Sequence, residues 1–290
     1  MIKIIRLALE EDIGAGDVTS RACVPEGLRA RGTIIAREPL VLAGTEVLDQ
    51  MFDHVVLLKH DGDRCAAGEP LATVEGNART LLERERVALN FLQRLSGVAT
   101  LARQYADAVA GTACRVLDTR KTTPGLRALE KRAAAAGGVT NHRMGLFDAV
   151  LIKNNHIAAA GGIRQALQNA GQSPDANVGQ AILPASPLSS GLKPAAGPAG
   201  LPIEIEVRTL AELHEALDAG AQHLLLDNLT PAEAAAWVRE IAGRATVELS
   251  GGITLETVRA YAETGADFVS AGAITHSARA VDIAFRLDLL

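Results

Sequence analysis

The densest chemistry in the sequence lies between residues 120 and 153. There Arg120, Lys121, Arg127, Lys131, Arg132, Arg143 and Lys153 are set against only Glu130 and Asp148, in a chain whose net charge is −5. A basic cluster of this kind suits a small, highly charged anion. Guanidinium forks match carboxylate and phosphate oxygens, and lysine adds a point charge. The same run also reads as a solvated charged surface. His142, between Asn141 and Arg143, is placed to touch the same ligand. His156 and His276 fit either a ligand contact or a structural role, while His214 and His223 fit structural positions.

A second constellation is acidic. Glu204 and Glu206 are two residues apart on a predicted strand, so their side chains share a face. Together with Asp227 they can hold Mg²⁺, a hard ion that prefers carboxylates and brings phosphates with it. Paired acids serve equally well as partners for buried lysines. A third string, Ser250-Gly251-Gly252-Ile253-Thr254, follows a strand and is expected to open a helix. Small residues there let backbone N–H groups approach a phosphate. Gly272 ends the next strand and strengthens that reading. Arg86, by spacing alone, is an ordinary arginine on a helix surface.

These residues need elements to hold them. Residues 1–11 read as a short helix, and residues 30–75 as β-rich runs at Thr33–Ala36, Leu40–Ala43, Val55–Lys59 and Leu71–Val74, broken by turns. From Leu81 to Ala110 the apolar residues recur with helical period, and Arg86 lies on the opposite face with Glu83 and Asn90. After Gly111 strands alternate with helices: Arg115–Leu117, Ala149–Ile152, Ile203–Val207, His223–Leu226, Thr246–Leu249 and Phe268–Ala271. Such βα repeats imply a parallel sheet covered by helices. The segment Thr209 to Asp227 also matches Thr254 to Gly272 at an offset of 45 residues. That offset carries Glu206 to Gly251 and Asp227 to Gly272, so acids and glycines occupy equivalent C-terminal strand ends. In a (β/α) barrel those ends form the reactive rim, and the last two typically hold a phosphate.

Residues 172–200 break the rhythm, with five prolines, four glycines and only Asp175 and Lys193 charged. They read as a flexible insertion between a helix and a strand, on the face of a barrel opposite its reactive rim, and are expected to be dispensable for catalysis.

Composition narrows the function. Hydrophobic residues make up 48% of the 290, ample for a core, and charged residues 22%. The acidic balance argues against a general binder of nucleic acid or anionic membranes. One Trp, two Tyr and five Phe are too few for platforms that stack bases. Cys23, Cys65 and Cys114 are far apart and form no zinc-like spacing. No apolar run approaches a membrane span, and the N-terminus does not fit a signal peptide, so a cytoplasmic location is expected.

Taken together, Leu117-Asp118-Thr119-Arg120-Lys121-Thr122-Thr123-Pro124-Gly125-Leu126-Arg127, Asn141-His142-Arg143-Met144-Gly145-Leu146, Leu151-Ile152-Lys153, Glu248–Gly252 and Gly272-Ala273-Ile274-Thr275-His276-Ser277 resemble the quinolinate phosphoribosyltransferase family. The resemblance runs from Leu9-Glu10-Glu11-Asp12 to the C-terminus and omits only residues 172–200. It departs at Val139, where the family usually has glycine, at the alanine run 133–136, and at Asn154, where an acid is common.

The resemblance implies a reaction of quinolinate with phosphoribosyl pyrophosphate and Mg²⁺, giving nicotinate mononucleotide, pyrophosphate and CO₂. It implies an α/β fold: an open TIM-like barrel over residues 111–276, and a smaller α/β sandwich over residues 1–110 against which 277–290 packs. It further implies a homodimer in which Arg86 reaches the neighbouring site. Arg120, Lys121, His142, Arg143, Lys153 and that Arg86 would then clamp quinolinate. Glu206 and Asp227 would hold the metal, and Ser250, Gly251, Gly252 and Gly272 the 5′-phosphate, with His276 nearby. Lys121, Lys153, Glu206 and Asp227 would be the catalytic set. Two rival readings are a phosphoribosyltransferase-like paralogue linked to molybdenum transport and, remotely, a carrier module built on Gly62-Asp63-Arg64 and Gly68-Glu69-Pro70-Leu71. The second lacks an acceptor lysine, having Gly76-Asn77 after the acid.

Overall fold

The computed structural model describes residues 3–172 and 201–290, so most of the proline-rich insertion lies outside the described residues. The chain divides into two compact units. One comprises Met1–Arg103, Thr122–Gly138 and Ile274–Leu290, and the other Gln104–Lys121 and Val139–Ala273.

The first unit is built on an antiparallel sheet. In chain order its strands are β1 (Arg29–Ala36), β2 (Leu40–Val41), β3 (His54–Leu57), β4 (Arg64–Cys65), β5 (Pro70–Asn77) and β12 (Ile283–Leu289), and four of them pair in the order β12-β1-β5-β3. The short β2 and β4 pair separately. The helices are α1 (Lys3–Ile13), α2 (Val18–Cys23), α3 (Glu46–Met51) and the long α4 (Ala78–Ala108). Gly32 shows why β1 and β12 register as they do. It opposes Leu287, and a Cβ there would stand 2.0 Å from the Phe285 ring. The missing side chain gives that ring its place in the sheet.

The C-terminal segment is also tied by charge. Arg279 donates to Glu38 from Nη1 at 2.8 Å and Nη2 at 2.6 Å, and the Asp282 amide donates to Glu38 at 2.8 Å. The Arg279 hydrogen bond and the Asp282 amide hold the Glu38 carboxyl at about 2, well below its ordinary 4.5. A carboxyl whose pKa is depressed on folding adds stability above its unfolded value and loses it as pH falls toward the folded one. Stability should therefore fall between pH 4.5 and 2. In Glu38→Gln, urea unfolding at stepped pH should show a shallower loss across that window. An unchanged acid limb would contradict the assignment.

Helix α5 (Arg127–Ala136) groups with the first unit. Its Arg132 pairs with Glu46 of α3 at 2.7 Å, and a Cβ at Gly137 would meet the Ala99 carbonyl of α4 at 2.4 Å. The grouping therefore rests on contacts that no helical pattern in α5 alone reveals.

The second unit is a six-stranded parallel sheet of β6 (Arg115–Leu117), β7 (Val150–Ile152), β8 (Ile203–Val207), β9 (His223–Asp227), β10 (Thr246–Ser250) and β11 (Phe268–Ser270). Their spatial order is β6-β11-β10-β9-β8-β7, so successive βα units step around a ring that opens between β6 and β7. This is an open TIM-like barrel. At the opening an isolated parallel bridge joins Leu117 to Thr140. Helices α6 (Asn154–Ala160), α7 (Ile163–Gln172), α8 (Leu210–Asp218), α9 (Pro231–Ile241), α10 (Val258–Ala262) and α11 (Ala273–His276) complete the described elements. Helix α9 starts on a Thr230/Glu233 capping box with Pro231 at its first turn, the expected signature of a helix N-terminus.

Register decides which side chains enter the barrel. Glu206 pairs with Leu225, Leu225 with Glu248, Ser250 with Asp227, and Leu151 with Glu204. Alternation then puts Glu204, Glu206, Asp227, Glu248 and Ser250 on one face. The other face carries Ile203, Ile205, Val207, Leu224, Leu226, Val247 and Leu249, all buried. A barrel lined by acids must supply them with protons, cations or donors.

Candidate active site

The sequence places Asp118 and Lys121 just beyond β6, and the structure gives them different tasks. Asp118 is fully buried and accepts from the His142 amide at 2.7 Å and from Asn141 Nδ2 at 2.6 Å. It thereby fixes the Asn141-His142-Arg143 segment against the end of β6. Lys121 is exposed, and its backbone amide donates to Thr119 Oγ1 at 3.0 Å.

Arg143 is 6% exposed, and its Nη1 donates to the Ala149 carbonyl at 3.1 Å. Its Nε is buried and has no hydrogen-bond partner among the described residues. Burial lowers the Arg143 pKa, and the nearby charge of Arg120 lowers it further. Two guanidiniums set close in a largely dry place repel one another, and an anion between them relieves both the repulsion and the orphaned donor. The donor set fits a dicarboxylate.

His142 turns its ring into the barrel. It is 7% exposed, and its Nε2 lies 3.4 Å from Glu204 and 3.3 Å from Glu248, both of them buried. The Arg143 amide donates to its Nδ1 at 2.7 Å. Both ring nitrogens are therefore engaged inside the barrel. Burial works against a charged imidazole, and the two carboxylates outweigh it, drawing the ring's pKa up to about 10. The Arg143 amide faces Nδ1, so the ring turns Nε2 and its proton toward the two carboxylates. Burial and the Glu248 carboxylate raise the Glu204 pKa to about 7. Burial pushes Glu248 up too, but His142, Ser270 and Glu204 outweigh it and hold that carboxyl below its ordinary range. These three side chains bring ligand atoms within 4.8 Å of one another.

Lys153 follows β7, and its Nζ stands 3.4 Å from Glu206 Oε2, the lysine half exposed and the acid buried. The Lys153 amide donates to His156 Nδ1 at 2.9 Å, which makes His156 a cap on α6. Glu206 and Asp227 share the barrel face on adjacent strands, one layer apart. Asp227 Oδ2 accepts from Asn228 Nδ2 at 2.7 Å, which leaves its other oxygen for a ligand. Two hard oxygen donors at a strand-end rim, with a lysine to offset their charge, fit Mg²⁺.

Ser250 ends β10 beside Asp227, and Gly251 and Gly252 follow with φ of +102° and +60°. A Cβ at Gly251 would lie 2.3 Å from Asn228 Oδ1, so only glycine fits this close approach. The turn does not open a helix directly, because α10 begins only at Val258 and spans five residues. Any phosphate held here would be held by backbone amides, without a helix dipole. Gly272 lies immediately before α11. His276 is exposed, with Nδ1 2.6 Å from Ser277 Oγ, and it belongs to the first unit, as does Arg86, exposed on α4. Glu248 and Asp118 lie in the strings that carry the resemblance, but the sequence assigns neither a role of its own. Glu248 stands two residues before Ser250, and strand alternation alone would have placed it inside the barrel.

A barrel whose strand ends carry the buried Arg143 with Arg120 beside it, and acids beside a glycine turn, fits a transferase-type site for polyanionic substrates. Comparison with known proteins makes the assignment specific. The family model described as quinolinate phosphoribosyl transferase, N-terminal domain, matches residues 17–96, and that of its C-terminal domain matches 98–182 and 192–286. A carboxylating nicotinate-nucleotide pyrophosphorylase of Mycobacterium leprae is 41% identical, over 98% of this chain and 95% of that protein. The chloroplastic protein of that name in Arabidopsis thaliana is 40% identical, over 98% and 82%. The solved nicotinate-nucleotide pyrophosphorylase of Francisella tularensis superposes with a TM-score of 0.85 at 34% identity, covering 99% of this chain and 95% of that one. The chain belongs to the quinolinate phosphoribosyltransferase family. Among the described residues no helix is long and apolar enough to cross a membrane.

Proposed function

We propose that this chain transfers the phosphoribosyl group of phosphoribosyl pyrophosphate to quinolinate and decarboxylates the adduct, yielding nicotinate mononucleotide, pyrophosphate and CO₂. Family membership supports the reaction. The observation that carries the substrate assignment is the buried Arg143, with an unpartnered Nε and Arg120 beside it.

In this reading Arg120, Lys121, Arg143 and Lys153 bind the two ring carboxylates. In a two-fold dimer, Arg86 from the second copy would add a further cation. His142 acts behind them, fixing Arg143 through its backbone amide. Ser250, Gly251, Gly252 and Gly272 hold the 5′-phosphate, with His276 nearby. Glu206 and Asp227 hold Mg²⁺, which when bound neutralises charge developing on the departing pyrophosphate. With the dicarboxylate clamped, the pyridine nitrogen attacks the anomeric carbon as the bond to pyrophosphate breaks. The ring nitrogen is then cationic. The bond from the adjacent carbon to its carboxylate breaks, CO₂ leaves, the electron pair stays on the ring, and a proton replaces it. Positioning and electrostatics do most of this work, with no strong base required.

Quinolinate should bind at least ~100-fold more tightly than nicotinate by calorimetry, since a buried charged donor left unpaired penalises the analogue lacking a carboxylate. Equal affinities would overturn the assignment of the arginine pair.

A further inference from the structure

One buried carboxylate in the first unit gathers hydrogen bonds from segments that carry site residues. Glu130 of α5 is completely buried. Its Oε2 accepts from the Thr123 amide at 3.0 Å and its Oε1 from the Thr123 hydroxyl at 2.7 Å. Arg94 of α4 donates to the same Oε1 from Nε at 3.0 Å and from Nη2 at 2.8 Å. The rest of the guanidinium turns to the C-terminal segment. Nη1 donates to the Ala278 carbonyl at 2.6 Å, and Nη2 also donates to the carbonyl of Thr275. Thr123 stands two residues after Lys121 and three after Arg120, while Thr275 and Ala278 flank His276.

An ion pair whose carboxylate is fully buried and whose arginine is partly buried gains little over well-packed apolar residues, because desolvation offsets its attraction. This pair spends its hydrogen bonds on two connecting segments rather than on other core groups. We propose that Arg94 and Glu130 are positioning residues. Glu130 sets the backbone that presents Arg120 and Lys121, and Arg94 sets the segment bearing His276. Neither touches substrate in this scheme. The inference rests on the reading of Arg120 and Lys121 as quinolinate ligands. A misplacement of about 1 Å in such ligands is enough to weaken binding or rate by one to two orders of magnitude.

The test pairs Thr123→Val, which removes the hydroxyl donor at nearly constant shape, with Thr123→Ser, which keeps it. Quinolinate affinity is read by calorimetry, KM and kcat by product formation, and folding by thermal midpoint. Thr123→Val should bind quinolinate about ten-fold more weakly. Its KM for phosphoribosyl pyrophosphate should change less than about two-fold, and Thr123→Ser should recover quinolinate affinity to within about two-fold of the parent. Glu130→Gln should reproduce the valine effect, and if it does not fold, the threonine pair still decides. A lowered melting temperature with unchanged quinolinate affinity in Thr123→Val would overturn the proposal and leave a structural pair, as would a serine variant as weak as the valine one. A parent protein that binds no quinolinate would overturn the functional reading itself, and this inference with it.

Discussion

Replacing Lys121 with alanine is expected to lower kcat/KM for quinolinate by at least about 100-fold, the scale of ~3 kcal/mol for a charge lost from a substrate clamp. Lys121 is exposed, it lies outside the core, and its backbone is held by Thr119 Oγ1 at 3.0 Å. Its removal should therefore leave the melting temperature within about 1 °C of the parent, as for most surface substitutions. The separation of a large kinetic effect from a small thermal one is the diagnostic feature. Arginine at the same position should restore only part of the rate, because a planar fork does not reproduce a compact point charge. An alanine variant with unchanged kcat/KM would refute the role of Lys121.

The second large effect falls on stability. His142→Ala removes the only imidazole in the Glu204–Glu248 cluster and leaves two buried carboxylates facing a cavity. Breaking a buried charge network by removing one partner costs about 3–5 kcal/mol, which for a chain of this size is roughly 5 to 8 °C in the melting temperature. Because the cost is attributed to the acids left behind, Glu204→Gln in the His142→Ala background should recover part of it. The two substitutions should then be clearly non-additive, as expected for groups in one network. Additive losses would show that His142 contributes by packing alone.

These two residues illustrate what was legible in the sequence. The 45-residue repeat fixes the phase of β8, β9 and β10, so Glu206, Asp227 and Ser250 could be assigned to strand ends from spacing alone. Period-two alternation set Glu204 beside Glu206. It did not say that Glu204 turns to a histidine from the distant 141–143 segment, because that contact depends on which strands become neighbours. His142 reads as a ligand contact, and the structure adds its contacts with Glu204 and Glu248 inside the barrel. The glycine turn after β10 was legible, but its distance from α10 was not, since Thr254 and Thr257 satisfy each other there in place of a helix start. Helix α5 carries the same amphipathic pattern whichever unit it packs on, so its place with α3 and α4 was beyond sequence reasoning. Arg86 has no distinguishing spacing at all, and its role enters only through the family resemblance.

The most direct test of the whole account is turnover of quinolinate labelled in its 2-carboxyl group, with phosphoribosyl pyrophosphate and Mg²⁺, run beside an identical reaction containing nicotinate. Nicotinate mononucleotide is expected from quinolinate only, with one labelled CO₂ released for each product. Product formed from nicotinate at a comparable rate, or no product from quinolinate with folded protein, would contradict it.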